Sequence, residues 1–282
     1  MKKTLLLIIF TIILTGCIKR DSMEDITIYT SVYPIEYITS RLYEENSTIY
    51  SIYPDGVIPN VYTLNEKQIK DYSKSNLFIF NGLSNEKNYL SPMLKNNKQI
   101  KIIDSTLNME YNNYQEELWL DPANMLMIAR NIKMGFYQYI NNHYLKNEIE
   151  KKYEELKVDL SNLSAKLNLI SSSSNDPTIV ATSNMFKFLE NYGFTVISLE
   201  ENTEKNIALV KSRINAGTTK HIFVIKNQEL NPNIQEIIKN MNIPTLEFHT
   251  LSNLNENDKN SKKDYLSISL ENINLLKQEL YK

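Results

Sequence analysis

Few side chains in this 282-residue sequence stand where they could do chemistry, and Cys17 has the clearest setting. Leu14-Thr15-Gly16-Cys17 has the apolar, small, small, Cys pattern of a bacterial lipobox, in which the thiol is acylated and the chain is cut so that Cys17 becomes the N-terminus. An export signal precedes it, with Lys2 and Lys3 followed by an apolar run from Leu5 to Leu14. That run falls well short of the ~20 residues a membrane-spanning helix needs, so a lipid on Cys17 is the expected anchor. As the only cysteine, Cys17 leaves the exported part without a disulfide or a thiolate metal ligand.

The other reactive types are sparse. Only three histidines occur, and His143 and His221 have no Cys or His at ligand spacing, so a histidine-built zinc cage cannot be assembled. His143 reads as a helix-end residue and His221 as the edge of a strand. His249 has either a functional role or that of a satisfied loop histidine. The run Ser171–Ser174 lacks a Gly-x-Ser-x-Gly elbow and a paired His. The carboxylate pairs Glu116-Glu117 and Glu200-Glu201 read as solvated acids, and Gly56 sits in no phosphate-binding pattern. No nucleophile–base arrangement emerges, and the expectation is a binding protein without catalytic residues.

From Cys17 onward 266 residues remain, enough for two lobes. The formal net charge is −2, or −4 once Lys2 and Lys3 leave with the signal. Basic and acidic residues are interspersed, which argues against nucleic acid as a partner.

These residues must be positioned by alternating strands and helices. Residues 17–25 read as a tether, with order beginning near Ile26. Ile26–Val32, Thr48–Tyr53, Leu77–Phe80 and Ile100–Ile103 read as strands, with helices over 35–45, 64–74 and 85–95. A long helical stretch follows Asp121-Pro122, broken near Asn141-Asn142-His143. Its second part carries Ile149, Tyr153, Leu156, Leu160, Leu163 and Leu167 at helical spacing. Strands return at Thr178–Ala181, Thr195–Leu199, Ile222–Ile225 and Thr245–Phe248, with helices over 184–192, 204–215, 231–240 and 265–280. Residues 254–263 read as a polar loop. The expected fold is α/β: two parallel-sheet (β/α) lobes, 26–143 and 171–282, joined by a rigid helix over 144–170, with a ligand cleft between them.

Several segments, in order, resemble the zinc- and manganese-type metal-binding lipoproteins of ABC importers. They are Ile28-Tyr29-Thr30-Ser31-Val32-Tyr33-Pro34, the strand and turn Leu77–Leu83 ending in Asn81-Gly82-Leu83, Trp119-Leu120-Asp121-Pro122, Phe188–Phe194 ending in Tyr192-Gly193-Phe194, and the helix opening at Asp264-Tyr265-Leu266. The resemblance covers nearly all of the chain after the tether. It implies an extracytoplasmic, lipid-anchored, monomeric subunit that hands a small solute or metal ion to a membrane permease.

The resemblance also implies three histidines and one carboxylate around the metal, and here this sequence departs from it. Asn60 and Glu117 stand at the first two histidine positions. Thr182 stands at the third, with Ser183 the choice if the register slips by one, and His249 occupies the carboxylate position. Asn and Thr offer neutral oxygens that compete poorly with water, which leaves Glu117 and His249 as the metal donors of any worth. Two versions of the solute follow: a divalent metal such as manganese held weakly by Glu117, His249, Asn60 and water, or a different small solute in a recruited polar cleft. The alternative class is a surface interaction protein, an adhesin or accessory subunit, that keeps the scaffold without metal.

Overall fold

In the computed structural model, which describes residues 21–110, 117–200 and 203–281, each apolar run becomes a strand of one of two parallel sheets. The first sheet has the order β2-β1-β3-β4, with β1 Ile26–Thr30, β2 Ser47–Ser51, β3 Leu77–Phe80 and β4 Lys101–Asp104. The second repeats that order as β6-β5-β7-β8, with β5 Thr178–Ala181, β6 Thr195–Ser198, β7 Ile222–Ile225 and β8 Thr245–Phe248. Burial follows position in the sheet. Central β3 and β5 are buried at every residue, whereas edge strand β2 alternates between half-buried and exposed. Register is parallel throughout, pairing Ile28 with Ile49 and Leu77, and Ile222 with Thr245.

Helices α1 Tyr33–Tyr43, α2 Glu66–Tyr72 and α3 Leu90–Asn96 serve the first sheet, and α4 Pro122–Tyr139 leads into α5 His143–Ser172. The second sheet carries α6 Glu204–Asn215, α7 Pro232–Met241, α8 Glu256–Asn260 and α9 Tyr265–Leu280. The long α5 spans about 45 Å and buries Leu145, Ile149, Tyr153, Leu156, Leu160, Leu163 and Leu167 against α1, α4 and α9. Helix α5 thus touches elements of both halves and fixes one beside the other.

Three local readings differ from expectation. Met23 is fully buried and Asp21 accepts from the N–H groups of Asn141 and Asn142, both at 2.8 Å, so the chain is docked on the α4–α5 junction before Ile26. Residues 184–192 form a 3₁₀ rather than an α-helix. The buried set Phe186, Leu189 and Tyr192 recurs every third residue, the period of that tighter helix. The expected polar loop holds α8, closed by a reciprocal capping box between Asn255 and Asp258. Cys17 and the export signal lie outside the described residues.

Glu86 lies buried between the turns that follow β1 and β3. Its carboxylate accepts from Asn81 N–H (3.0 Å) and Tyr53 O–H (3.3 Å), and the Ser31 hydroxyl lies against it without completing a hydrogen bond. Burial outweighs these donors and pushes the carboxyl up to about 7 from an ordinary 4.5. The folded protein therefore holds a proton that the unfolded chain releases at lower pH. Stability from this group is full below the unfolded value and is lost as pH rises through the folded one. Between about pH 5.5 and pH 8 the expected loss is about 2 kcal/mol. Glu86→Gln should remove that pH dependence in urea unfolding; an unchanged dependence would refute the assignment.

Candidate functional site between the lobes

Parallel strands present their C-terminal ends, and the loops leaving them, to one edge of each sheet. Here both edges face one cavity of about 740 Å³. The first half contributes the loop after β2, with Gly56, Ile58 and Asn60, and Glu117 just ahead of the turn into α4. The second half contributes Ser183 and Asn184 after β5, Glu200 after β6, Lys226–Gln228 after β7, and His249 with Asn253 after β8.

The segment after β8 is sewn onto the first half. Gly56 N–H donates to Leu254 O (2.9 Å), and the Asn253 amide donates to Pro54 O (2.7 Å) and Val57 O (3.0 Å). Tyr33 N–H donates to Ser252 O (3.1 Å), and the Trp119 indole donates to Thr250 O (2.8 Å). Gly56 has φ +74°, and a Cβ there would lie 3.7 Å from the Cβ of Asn255, so this loop needs glycine for its turn. Behind these ties the separated motifs meet. Asp121, 3% exposed, accepts from Ala123 N–H (2.8 Å), the Asn191 amide (2.9 Å) and Tyr192 O–H (2.6 Å).

Of the four positions singled out from sequence, Asn60, Glu117 and His249 line the same cavity. Thr182 does not: it is 6% exposed, its N–H donates to Phe223 O (2.9 Å), and the next residue, Ser183, reaches the cavity wall instead. Strand geometry accounts for this, because successive side chains leave β5 on opposite faces.

The His249 ring is already committed. Its Nδ1 accepts from Leu251 N–H (2.9 Å), which places the ring proton on Nε2, where it faces Asp258 Oδ2 at 3.3 Å. Burial holds the ring below the usual histidine range, outweighing the opposite pull of Asp258, so it is neutral at pH 7. The Asn272 side chain pins the His249 backbone on both sides, accepting its N–H (3.0 Å) and donating to its carbonyl (2.9 Å). For a metal to take Nδ1, Leu251 must lose its acceptor; for it to take Nε2, the proton must move to face another donor. Among the described residues, no group of three or more His, Cys, Asp or Glu is arranged to hold a metal ion. The expectation that Glu117 and His249 act together as metal donors therefore meets a histidine with no ring lone pair to spare.

His221 is structural: its ring nitrogen lies 2.8 Å from buried Glu279, which also accepts Lys220 N–H. The sequence reading passed over Asn184, Asn227, Gln228, Asn253 and Asn255, all of which line the cavity. The signal that marks them is positional, since each lies in a loop that follows a β-strand of the second half.

Two (β/α) lobes bridged by a long helix, with a cavity at the facing strand ends, define a solute-binding protein of the helix-linked kind. The chain belongs to the family of the periplasmic zinc-uptake complex component A, ZnuA, whose family model matches residues 28–279. Members are the solute-binding, non-catalytic components of metal ABC importers and work with a membrane permease outside the cytoplasm. A metal ABC transporter substrate-binding lipoprotein of Lactococcus lactis subsp. lactis (strain IL1403) is 22% identical over 261 residues, covering 83% of this chain and 82% of that one. In fold the chain is similar to the metal-dependent lipoprotein YcdH of Bacillus subtilis, with a TM-score of 0.75 at 16% identity over 92% of this chain and 100% of that one. The Zn(II)-bound ZnuA-like domain of Streptococcus pneumoniae AdcA gives a TM-score of 0.75 at 17% identity, with the same coverages.

Proposed function

We propose that this chain is the solute-binding subunit of an ABC importer, held to the outer face of the membrane by a lipid on Cys17 and working as a monomer, and that its cleft has lost the tight zinc site implied by the resemblance. The observation that carries the second part is the His249 ring, with Leu251 N–H on Nδ1 and Asp258 against Nε2. The first part is supported by the export signal and lipobox in the sequence and by the L. lactis relative named a lipoprotein. Residues 1–16 would leave with the signal, and 17–20 would join the lipid to a chain docked from Asp21 onward.

Thermal unfolding of the full chain in detergent, stripped with chelator and titrated with zinc or manganese, tests the loss of metal. A ligand at a hundredfold excess over its dissociation constant stabilises the folded state by about 2.7 kcal/mol. The expected result is no saturable rise in midpoint at micromolar ion. A saturable rise that vanishes in Glu117→Ala or His249→Ala would refute it. The anchor is tested separately: Cys17→Ser should release the protein from the membrane fraction, and retention there would reject lipidation at this residue.

A further inference from the structure

We propose that the tip of the first lobe, where α4 meets α5, is a bilayer-contacting surface, with the Tyr144 ring seated among the lipid headgroups. This rests on the lipid on Cys17 and goes beyond it by naming the face of the protein that meets the membrane. The first observation is how little chain separates anchor from fold. Four residue steps lead from Cys17 to Asp21, and at no more than ~3.6 Å per step they reach at most about 14 Å. Asp21 is fixed to the tip. Its Oδ2 accepts the N–H groups of Asn141 and Asn142, its Oδ1 accepts Met23 N–H (2.9 Å), and fully buried Met23 gives its carbonyl to the Tyr43 hydroxyl (2.8 Å). An acylated Cys17 therefore holds this junction at the bilayer surface.

The second observation is what the junction presents there. Tyr144 lies in the first turn of α5 and is 67% exposed, the most exposed tyrosine among the described residues. Its backbone is tied to the tether through one residue: Asn142 donates its N–H to Asp21 and accepts Tyr144 N–H on its side chain (2.9 Å). A tyrosine has an apolar ring and a polar tip, the combination that gains most at the level of the headgroups. The contact also leaves the cleft free. Helix α4 carries the chain about 27 Å from Asp121, beside the cleft, to the tip, and α5 runs from the tip to the far end of the second lobe. The first lobe is thus the pinned one, and the cleft turns about its tip.

Fluorescence quenching of the full acylated chain, reconstituted into dioleoylphosphatidylcholine vesicles that contain a headgroup-nitroxide phospholipid, tests this. Because acylation blocks the Cys17 thiol, a dye can be placed on Asn147→Cys, an exposed position one turn beyond Tyr144, or on Leu169→Cys, 63% exposed and about 33 Å further along α5. The dye at 147 should be quenched at least twice as strongly as the dye at 169. Adding Tyr144→Ser should at least halve the quenching at 147, with an unchanged unfolding midpoint showing that the variant folds. Equal quenching at the two positions, or quenching at 147 that Tyr144→Ser leaves unchanged, overturns the proposal. Failure of the chain to float with the vesicles would instead refute the lipid on Cys17 and the proposal with it, so the two readings fail by different results.

Discussion

Replacing Asp121 by alanine should lower the unfolding free energy by about 2–4 kcal/mol, from a lost helix cap and a buried hydroxyl left poorly paired. Three donors depend on this carboxylate: Ala123 N–H at the start of α4, the Asn191 amide and the Tyr192 hydroxyl. Losing the helix cap alone costs about 1 kcal/mol. Leaving buried Tyr192 with only the Ser164 hydroxyl, 3.4 Å away, adds about 1–3 kcal/mol, whereas the exposed Asn191 amide turns to water. The Tyr192 phenol is itself pushed up by burial and by Asp121, so it stays a donor throughout the ordinary pH range. Asp121→Asn retains an oxygen for the cap and for one further donor, and should lose much less. Urea unfolding of both variants distinguishes them, and a loss below about 1 kcal/mol for Asp121→Ala would show that the network is not a structural joint.

That joint explains why the fold was legible from the sequence. Asp121 opens α4 and Tyr192 closes the 3₁₀ segment after β5, so two motifs from different halves share one hydrogen-bond network. Strands such as Leu77-Phe78-Ile79-Phe80 and Thr178–Ala181 are apolar because both of their faces are covered, and Pro122 and Gly193 mark where helical segments begin and end. The site was less legible. Alignment along strand ends brought Asn60, Glu117 and His249 to one cavity, yet a one-residue ambiguity at Thr182 and Ser183 decides which side chain is on the wall and which is beneath it. Nor does spacing disclose that His249 is satisfied. Its partner Asp258 lies nine residues on in a helix that a polar sequence concealed, and Leu251 turns its amide onto the ring from a backbone that continues at φ +62°.

The ties between Thr250–Asn255 and the first lobe bear on how a solute would enter. Rigid-body separation of the lobes has to break the bonds from Gly56, Asn253, Tyr33 and Trp119 together. Each net hydrogen bond contributes about 1 kcal/mol, so wide opening is disfavoured by several kcal/mol.

Restoring the donor set should produce the largest change in binding. The resemblance implies histidines at the positions of Asn60, Glu117 and one residue after β5, with a carboxylate at 249, and the cavity wall selects Ser183 over Thr182. The chain carrying Asn60→His, Glu117→His, Ser183→His and His249→Asp should bind zinc at least ~10³-fold more tightly than the parent, since even outer-shell partners change metal affinity by about 10–100-fold. An aspartate at 249 still accepts Leu251 N–H with one oxygen and turns the other to the ion. Its charge beside Asp258 destabilises the metal-free form, so zinc should raise the unfolding midpoint steeply. The same set with Thr182→His in place of Ser183→His should bind no better than the parent and fold less stably, because an imidazole has no room at a residue 6% exposed and packed against β7. If the Thr182 version proves the tighter binder, the wall has been assigned one residue out of register. If neither version binds, ligand identity alone does not separate this cleft from those of its zinc-binding relatives, and the closure of the loops over the site becomes the controlling difference.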